Sequence, residues 1–172
     1  MLRIEPAIFS PLVNALLKEC QERGKTVAAA ESCTGGLVAT LMTHFGGSSA
    51  VFTGGVVAYS NEVKIGVLGV GRDVIARNGA VSQEVAEAMA LGARRVLTAD
   101  YAIAITGVAG PDGGSKDKPV GTVWTAFAGP DGVKSELLRL SGDRASIRTA
   151  AAQFSLDRLL KIVQSMHSGG IT

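Results

Sequence analysis

The chain is poor in histidine, cysteine and aromatic residues, and each shortage removes a class of chemistry. Two histidines, His44 and His167, are too few for most histidine-built metal sites and weaken any Ser-His-Asp triad. The two cysteines, Cys20 and Cys33, lack metal-ligand spacing and read as reduced thiols of a cytoplasmic protein. Aromatics make up 5% of the residues and no basic run is interleaved with them, which argues against a stacking platform for single-stranded nucleic acid. A formal net charge of +2 is too small to call for nucleic acid or an anionic membrane as partner. No apolar run reaches the roughly 18 residues of a membrane span, and no signal-peptide pattern follows Met1.

What remains is a chain built to fold. Its 172 residues are 47% hydrophobic and 19% charged, which fits one domain, residues 1–172, with a core packed mainly by alanine, valine and leucine. Apolar spacing predicts a helix over 6–23 closed by Gly24, a strand over 26–30 and a helix over 37–45 stopped by Gly46-Gly47. A strand over 51–60 carries Gly54-Gly55, which suggests a bulge. Short helices follow over 61–68 and 73–77. Ser82 then caps a long helix that buries Val85, Met89, Ala93 and Val96. An apolar strand over 101–108 leads into the 11-residue loop 109–119. Strands over 120–128 and 133–140 flank Gly129-Pro130-Asp131-Gly132 as an antiparallel hairpin, and a last helix runs over about 143–166. Helices alternating with strands, then a hairpin, predict an α/β fold: three layers, α/β/α, around a mixed five-stranded sheet.

The stretch Thr26 to Gly36 (Thr-Val-Ala-Ala-Ala-Glu-Ser-Cys-Thr-Gly-Gly) holds the most chemistry. An apolar strand ends in Glu31, Ser32, Cys33 and Thr34, and Gly35 and Gly36 feed a helix. Open α/β sheets place ligands at such strand ends, where glycines admit a close backbone approach and a helix start offers N–H groups to an anion. Ser32 or Cys33 could act as nucleophile there, though a serine after a strand usually caps a turn and a free cysteine is usually a small buried hydrophobe. Glu31 wants a partner, a lysine or a ligand hydroxyl, and Thr34 could cap the following helix. With histidine scarce, Lys64 and Tyr59 are the available bases, since a buried lysine can lose its proton at neutral pH. Their plain reading is a strand-end aromatic and a solvated charge. The glycine-rich run through Thr106, Gly107, Gly110, Gly113 and Gly114 offers N–H groups to a phosphate or an oxyanion, or is a surface connection. Ser48 lies in another small-residue turn. Arg144 and Arg148, at i and i+4 after Asp143, could clamp a phosphate or pair with nearby acids on a solvated face.

Taken together, these blocks resemble the C-terminal domain of the competence-damage protein CinA, a family that includes stand-alone nicotinamide mononucleotide deamidases. The resemblance runs through Ala30 to Gly36, Gly46 to Ala50, Tyr59 to Lys64, Gly79 to Ser82, Thr106 to Gly114, Lys118 to Trp124 and Gly142 to Arg144. It implies an amidohydrolase acting on nicotinamide mononucleotide, with no metal or cofactor, working as a dimer in pyridine-nucleotide recycling. It also implies the α/β/α fold. The length of the chain suggests the stand-alone form. Carried residue by residue, Ser32 is the nucleophile, with Ser48 as rival, and Lys64 with Tyr59 serves as base. Substrate contacts fall to Glu31, Thr34, Gly35, Gly36, Ser48, Thr106, Gly107, Gly110 and Arg144, with Arg148 as the other candidate for the phosphate. Two competing readings stay open: a nucleotide-binding module without turnover, and an amidase for another amide.

Overall fold

The computed structural model describes residues 6–165. Five strands, β1 (Val27–Glu31), β2 (Phe52–Val57), β3 (Tyr101–Gly107), β4 (Thr122–Gly129) and β5 (Gly132–Arg139), form one sheet in the order β2-β1-β3-β4-β5. β1 pairs in parallel with β2 and β3, whereas β4 runs antiparallel to β3 and to β5. The mixed five-stranded sheet and the closing hairpin are those the sequence predicts. The suspected bulge is there too: Val27 faces Phe52 but Ala28 faces Gly54, so Thr53 is skipped.

The two faces of the sheet are chemically different because side chains alternate along each strand. Val27, Ala29, Tyr101, Ile103, Ile105, Val123 and Phe127 point to one side, where they pack on α1 (Ser10–Glu22), α2 (Leu37–Thr43) and α6 (Arg144–Ser165). Ala28, Ala30, Ala102, Ala104, Ala126 and Ala128 point to the other, a floor of methyl groups under α5 (Gln83–Val96). The short α3 (Asn61–Gly66) and α4 (Arg72–Asn78) flank α5 on that side, through Val63, Leu68, Val70, Val74 and Ile75. Alanine on the floor lets α5 approach closely, and Ala86, Ala90 and Ala93 keep the approach close from above.

Details at three helices have identifiable physical reasons. The first helix starts only at Ser10, because Pro6–Phe9 form a separate 3-10 turn before Pro11 at the helix start. Val96 is exposed: the last turn of α5 overhangs the sheet, and Leu97 packs against the core in its place. The last helix begins at Arg144, with the Asp143 carboxylate accepting from the Ser146 N–H at 2.8 Å as its cap. Met166 and His167 lie outside the described residues.

The topology sets up a crevice. The chain leaves β1 toward α2 on one face and leaves the adjacent β2 toward α3 on the other. Adjacent parallel strands whose connections depart to opposite faces part at their carboxyl ends, and that is where open α/β sheets bind ligands.

α5 and the chain after α3 touch without space to spare. A methyl group built on Gly92 of α5 would overlap the Leu68 carbonyl. Because that obstacle is backbone, we expect Gly92→Ala to destabilise the fold by about 1–3 kcal/mol, the usual cost of overpacking. A thermal melt superimposable on the parent's would refute the tight contact.

Candidate active site

Ser32 continues the line of β1, with its N–H donating to the Ile105 carbonyl at 2.9 Å. Alternation then sends neighbouring side chains to opposite faces, Glu31 toward α2 and Ser32 toward α3. Lys64, on α3, meets Ser32 in the crevice: its Nζ lies 3.2 Å from Ser32 Oγ. The same Nζ donates to the Ala58 carbonyl at 2.9 Å and to the Tyr59 carbonyl at 3.4 Å. Lys64 is 1% exposed and forms no ion pair among the described residues. Removal from water therefore lowers its pKa, and weaker fields from Cys33 and Glu62 oppose that only in part. A neutral amine has two N–H bonds and one lone pair. With both N–H bonds directed at carbonyls, the lone pair is left for the serine hydroxyl, the geometry of a serine activated by a lysine base.

Burial pushes the neighbouring Cys33 thiol the other way, up to about 11, so it stays protonated near neutral pH and is a poor nucleophile. Of the two, Ser32 is the one whose reacting atom has the Lys64 amine beside it. Ser48 is at the wrong end: it begins the turn Ser48–Ala50 just before β2, whereas the crevice lies beyond the other end of that strand.

Around the pair lies a cavity of about 300 Å³, lined among others by Ser32, Tyr59, Asn61, Lys64, Thr106, Gly107, Gly110, Asp112 and Arg144. That is the lower end of the about 300–1,000 Å³ typical of small-molecule sites. The turn after β1, the Tyr59–Lys64 segment after β2 and the glycine-rich run after β3 meet here, because β1, β2 and β3 are parallel. Asn61 and Asp112, which lie in those loops, and the Ala80-Val81 segment before α5 also line the cavity, though sequence alone assigned them no role there. Their signal in the sequence was membership of the blocks Tyr59 to Lys64, Thr106 to Gly114 and Gly79 to Ser82. No three His, Cys, Asp or Glu side chains cluster as metal ligands would, among the described residues.

Several expected ligand contacts are differently employed. Glu31, 1% exposed, turns its carboxylate to the start of α2 and accepts from the N–H groups of Gly36 (3.0 Å), Val38 (3.1 Å) and Ala39 (2.8 Å). It reaches neither Lys64 nor a ligand; a buried carboxylate takes the nearest free donors, and a helix start supplies them. The N–H groups expected for an anion at Gly35 and Gly36 are therefore occupied, the Gly35 N–H by the Ser32 carbonyl at 3.1 Å. Both glycines have positive φ, 61° and 92°, a turn that a side chain would strain. Thr34 is fully buried away from the cavity, does not cap α2, and its Oγ1 has no partner among the described residues. Among the described residues the backbone N–H groups of Cys33 and Thr34 have no backbone acceptor, and they follow Ser32 directly in the chain.

Thr106 lines the cavity, but its hydroxyl donates to the Ala80 carbonyl at 2.8 Å, so it can only accept from a ligand and cannot support an oxyanion. Tyr59 is 63% exposed at the rim; its hydroxyl accepts from Arg144 at 3.2 Å, and only its main-chain carbonyl touches Lys64. A proton relay through its hydroxyl is not built here, while an aromatic face at the rim is. Arg144 also donates to the Gly110 carbonyl at 2.8 Å and lines the cavity. Arg148 instead donates to the Thr34 carbonyl through Nη2 at 2.6 Å and Nε at 3.2 Å, outside the cavity. Of the two arginines, Arg144 is the one placed to meet a ligand anion.

A chemical probe reads the pair directly. We expect sulfonylation of Ser32 by phenylmethanesulfonyl fluoride to accelerate with pH, with a midpoint below the ordinary lysine value of 10.5 as Lys64 loses its proton. Lys64→Met should lose that dependence. A pH-independent rate in the parent would mean that Lys64 is not the base.

The family model described as the CinA C-terminal domain matches residues 10–163. The nicotinamide-nucleotide amidohydrolase PncC of Escherichia coli K12 is 51% identical over 140 residues, 80% of this chain and 84% of that protein. A CinA-like protein of Geobacter sulfurreducens is 52% identical over 146 residues, 85% of this chain but 35% of that protein. The chain thus spans about a third of the length of the curated CinA-like relatives it matches. The crystal structure of the competence/damage inducible protein CihA from Agrobacterium tumefaciens superposes with a TM-score of 0.87 at 40% identity, covering 90% of this chain and 94% of that one. No helix among the described residues is long and apolar enough to cross a membrane.

Proposed function

The chain belongs to the CinA C-terminal domain family, and on that premise we propose that it is an amidohydrolase that converts nicotinamide mononucleotide to nicotinate mononucleotide and ammonia. The observation that carries the reading is the 3.2 Å contact between a buried, unpaired Lys64 and Ser32 Oγ. Support comes from the PncC relative, a nicotinamide-nucleotide amidohydrolase by name, most of whose length this chain covers.

Ser32 Oγ attacks the carboxamide carbon while its proton passes to Lys64 Nζ. The N–H groups of Cys33 and Thr34 are the donors available to the developing oxyanion. Lys64 returns the proton to the departing nitrogen, which leaves as ammonia. Water then attacks the acyl-enzyme with Lys64 again as base, and nicotinate mononucleotide is released. The exposed face of Tyr59 stacks on the pyridinium ring, and Arg144 holds the 5′-phosphate with N–H groups of the Gly110 loop. On the same reading the protein is cytoplasmic, acts as a dimer and serves pyridine-nucleotide recycling. A binding module without turnover has no use for a buried lysine aimed at a serine. A neutral amide lacking phosphate would leave Arg144 idle.

The decisive assay is ammonia release from nicotinamide mononucleotide, which we expect from the parent and not from a folded Ser32→Ala. Release by that mutant at the parent's rate would remove Ser32 from the mechanism. A folded parent that binds the mononucleotide without releasing ammonia would favour the binding module. Arg144→Ala should weaken use of the mononucleotide relative to nicotinamide riboside by about 10-fold or more, the scale of a charge-assisted contact near 1.5–3 kcal/mol. Unchanged discrimination would deny Arg144 the phosphate.

A further inference from the structure

Resting on that reading of Ser32, the geometry points to Arg148 as a positioning residue that sets the nucleophile turn. The turn from Ser32 to Gly36 is fastened at nearly every peptide. Ser32 N–H is tied to β3 at Ile105, Gly35 N–H to the Ser32 carbonyl, and Gly36 N–H to Glu31. The Thr34 carbonyl is held from outside the turn: Arg148 donates to it through Nη2 at 2.6 Å and Nε at 3.2 Å. The peptide between Thr34 and Gly35 is therefore clamped at both ends, its oxygen by Arg148 and its N–H by Ser32.

Two features give this clamp a purpose beyond holding the fold. Arg148 reaches across from α6, 114 residues away in sequence, to one peptide unit whose N–H donates to the Ser32 main-chain carbonyl. The guanidinium also packs against the turn itself: a methyl group on Gly35 would touch Nη2 at 3.4 Å. Rotating the Thr34–Gly35 peptide would release the Ser32 carbonyl and so loosen the residue that carries the hydroxyl. Arg148 lies outside the cavity, so it acts on the reaction through the turn and not on substrate. A planar fork suits this task better than a lysine, whose single point of charge cannot fix the orientation of a peptide plane.

The test uses the full chain and two readouts. In Arg148→Ala, kcat for ammonia release should fall by about tenfold or more with KM within about threefold, since misplacing a reacting group by an ångström costs up to about 10²-fold. Sulfonylation of Ser32 should slow in parallel, followed by intact mass. Added guanidinium ion should restore part of both rates, and methylammonium neither. Arg148→Lys, which keeps the charge, should resemble Arg148→Ala more than the parent, and guards against a poorly folded alanine variant. Unchanged kcat and sulfonylation in folded variants would overturn the assignment. So would a rise confined to KM, which would make Arg148 a substrate ligand. If the parent is sulfonylated in an Arg148-dependent way but releases no ammonia, the substrate reading fails and the positioning role stands. A parent that does neither overturns both.

Discussion

A lysine buried with no carboxylate against it is the constraint on which the site depends. Lys64 is removed from water, and three oxygens surround its amine: two main-chain carbonyls and the hydroxyl of Ser32. An ammonium there is costly, so burial pulls the lysine's pKa below its ordinary value. The cost has to be carried by the rest of the fold. On that face α5 packs tightly against the alanine floor, with Gly92 admitting the chain just after α3.

The turn that faces Lys64 is rigid for a complementary reason. Glu31 might look like a catalytic carboxylate, yet its two oxygens are taken by three N–H groups at the start of α2. This arrangement neutralises a buried acid by hydrogen bonds and the helix dipole, and it keeps the negative charge pointed away from Lys64. A carboxylate beside Lys64 would raise the lysine's pKa and hold it as an ammonium. Alternation along β1 separates the two: Glu31 and Ser32 are adjacent in sequence and face opposite sides of the sheet. One residue of slippage would exchange their roles and destroy both.

Much of this was legible in the sequence, and the failures have a common cause. Periodicity is local, so strands, helices and the hairpin followed from windows of ten or so residues. Parallel β1, β2 and β3 then brought three loops together, as the alternation of elements implied. Partners are not local. Glu31 lay beside a serine and a lysine-bearing loop in expectation, but a helix start in its own chain offered nearer donors. Tyr59 follows its strand as a catalytic residue would, but Arg144, 85 residues on, takes its hydroxyl. Thr106 looked like an oxyanion donor until the Ala80 carbonyl claimed its proton. Arg144 and Arg148 share a helix face, and only the tertiary fold separates them, one over the cavity and the other behind the turn. Ser48 and Ser32 are similar in local sequence; what distinguishes them is which end of a strand each occupies.

The charge pattern of the cavity also bears on what it can accept. On the proposed reading the ligand is a zwitterion, with a cationic ring and an anionic phosphate. A lysine that stays an ammonium would repel that ring at the point of attack, whereas an amine does not. The approach of the ring cation further favours the neutral lysine, because like charges disfavour the charged form. Binding and activation of the base therefore act in the same direction. The permanent cation, Arg144, stands at the rim beside Tyr59 and the Gly110 carbonyl, away from the reacting centre and open to the phosphate. Lysine and arginine are not interchangeable in this layout: one position needs a cation that can cease to be one, and the other needs a cation that cannot.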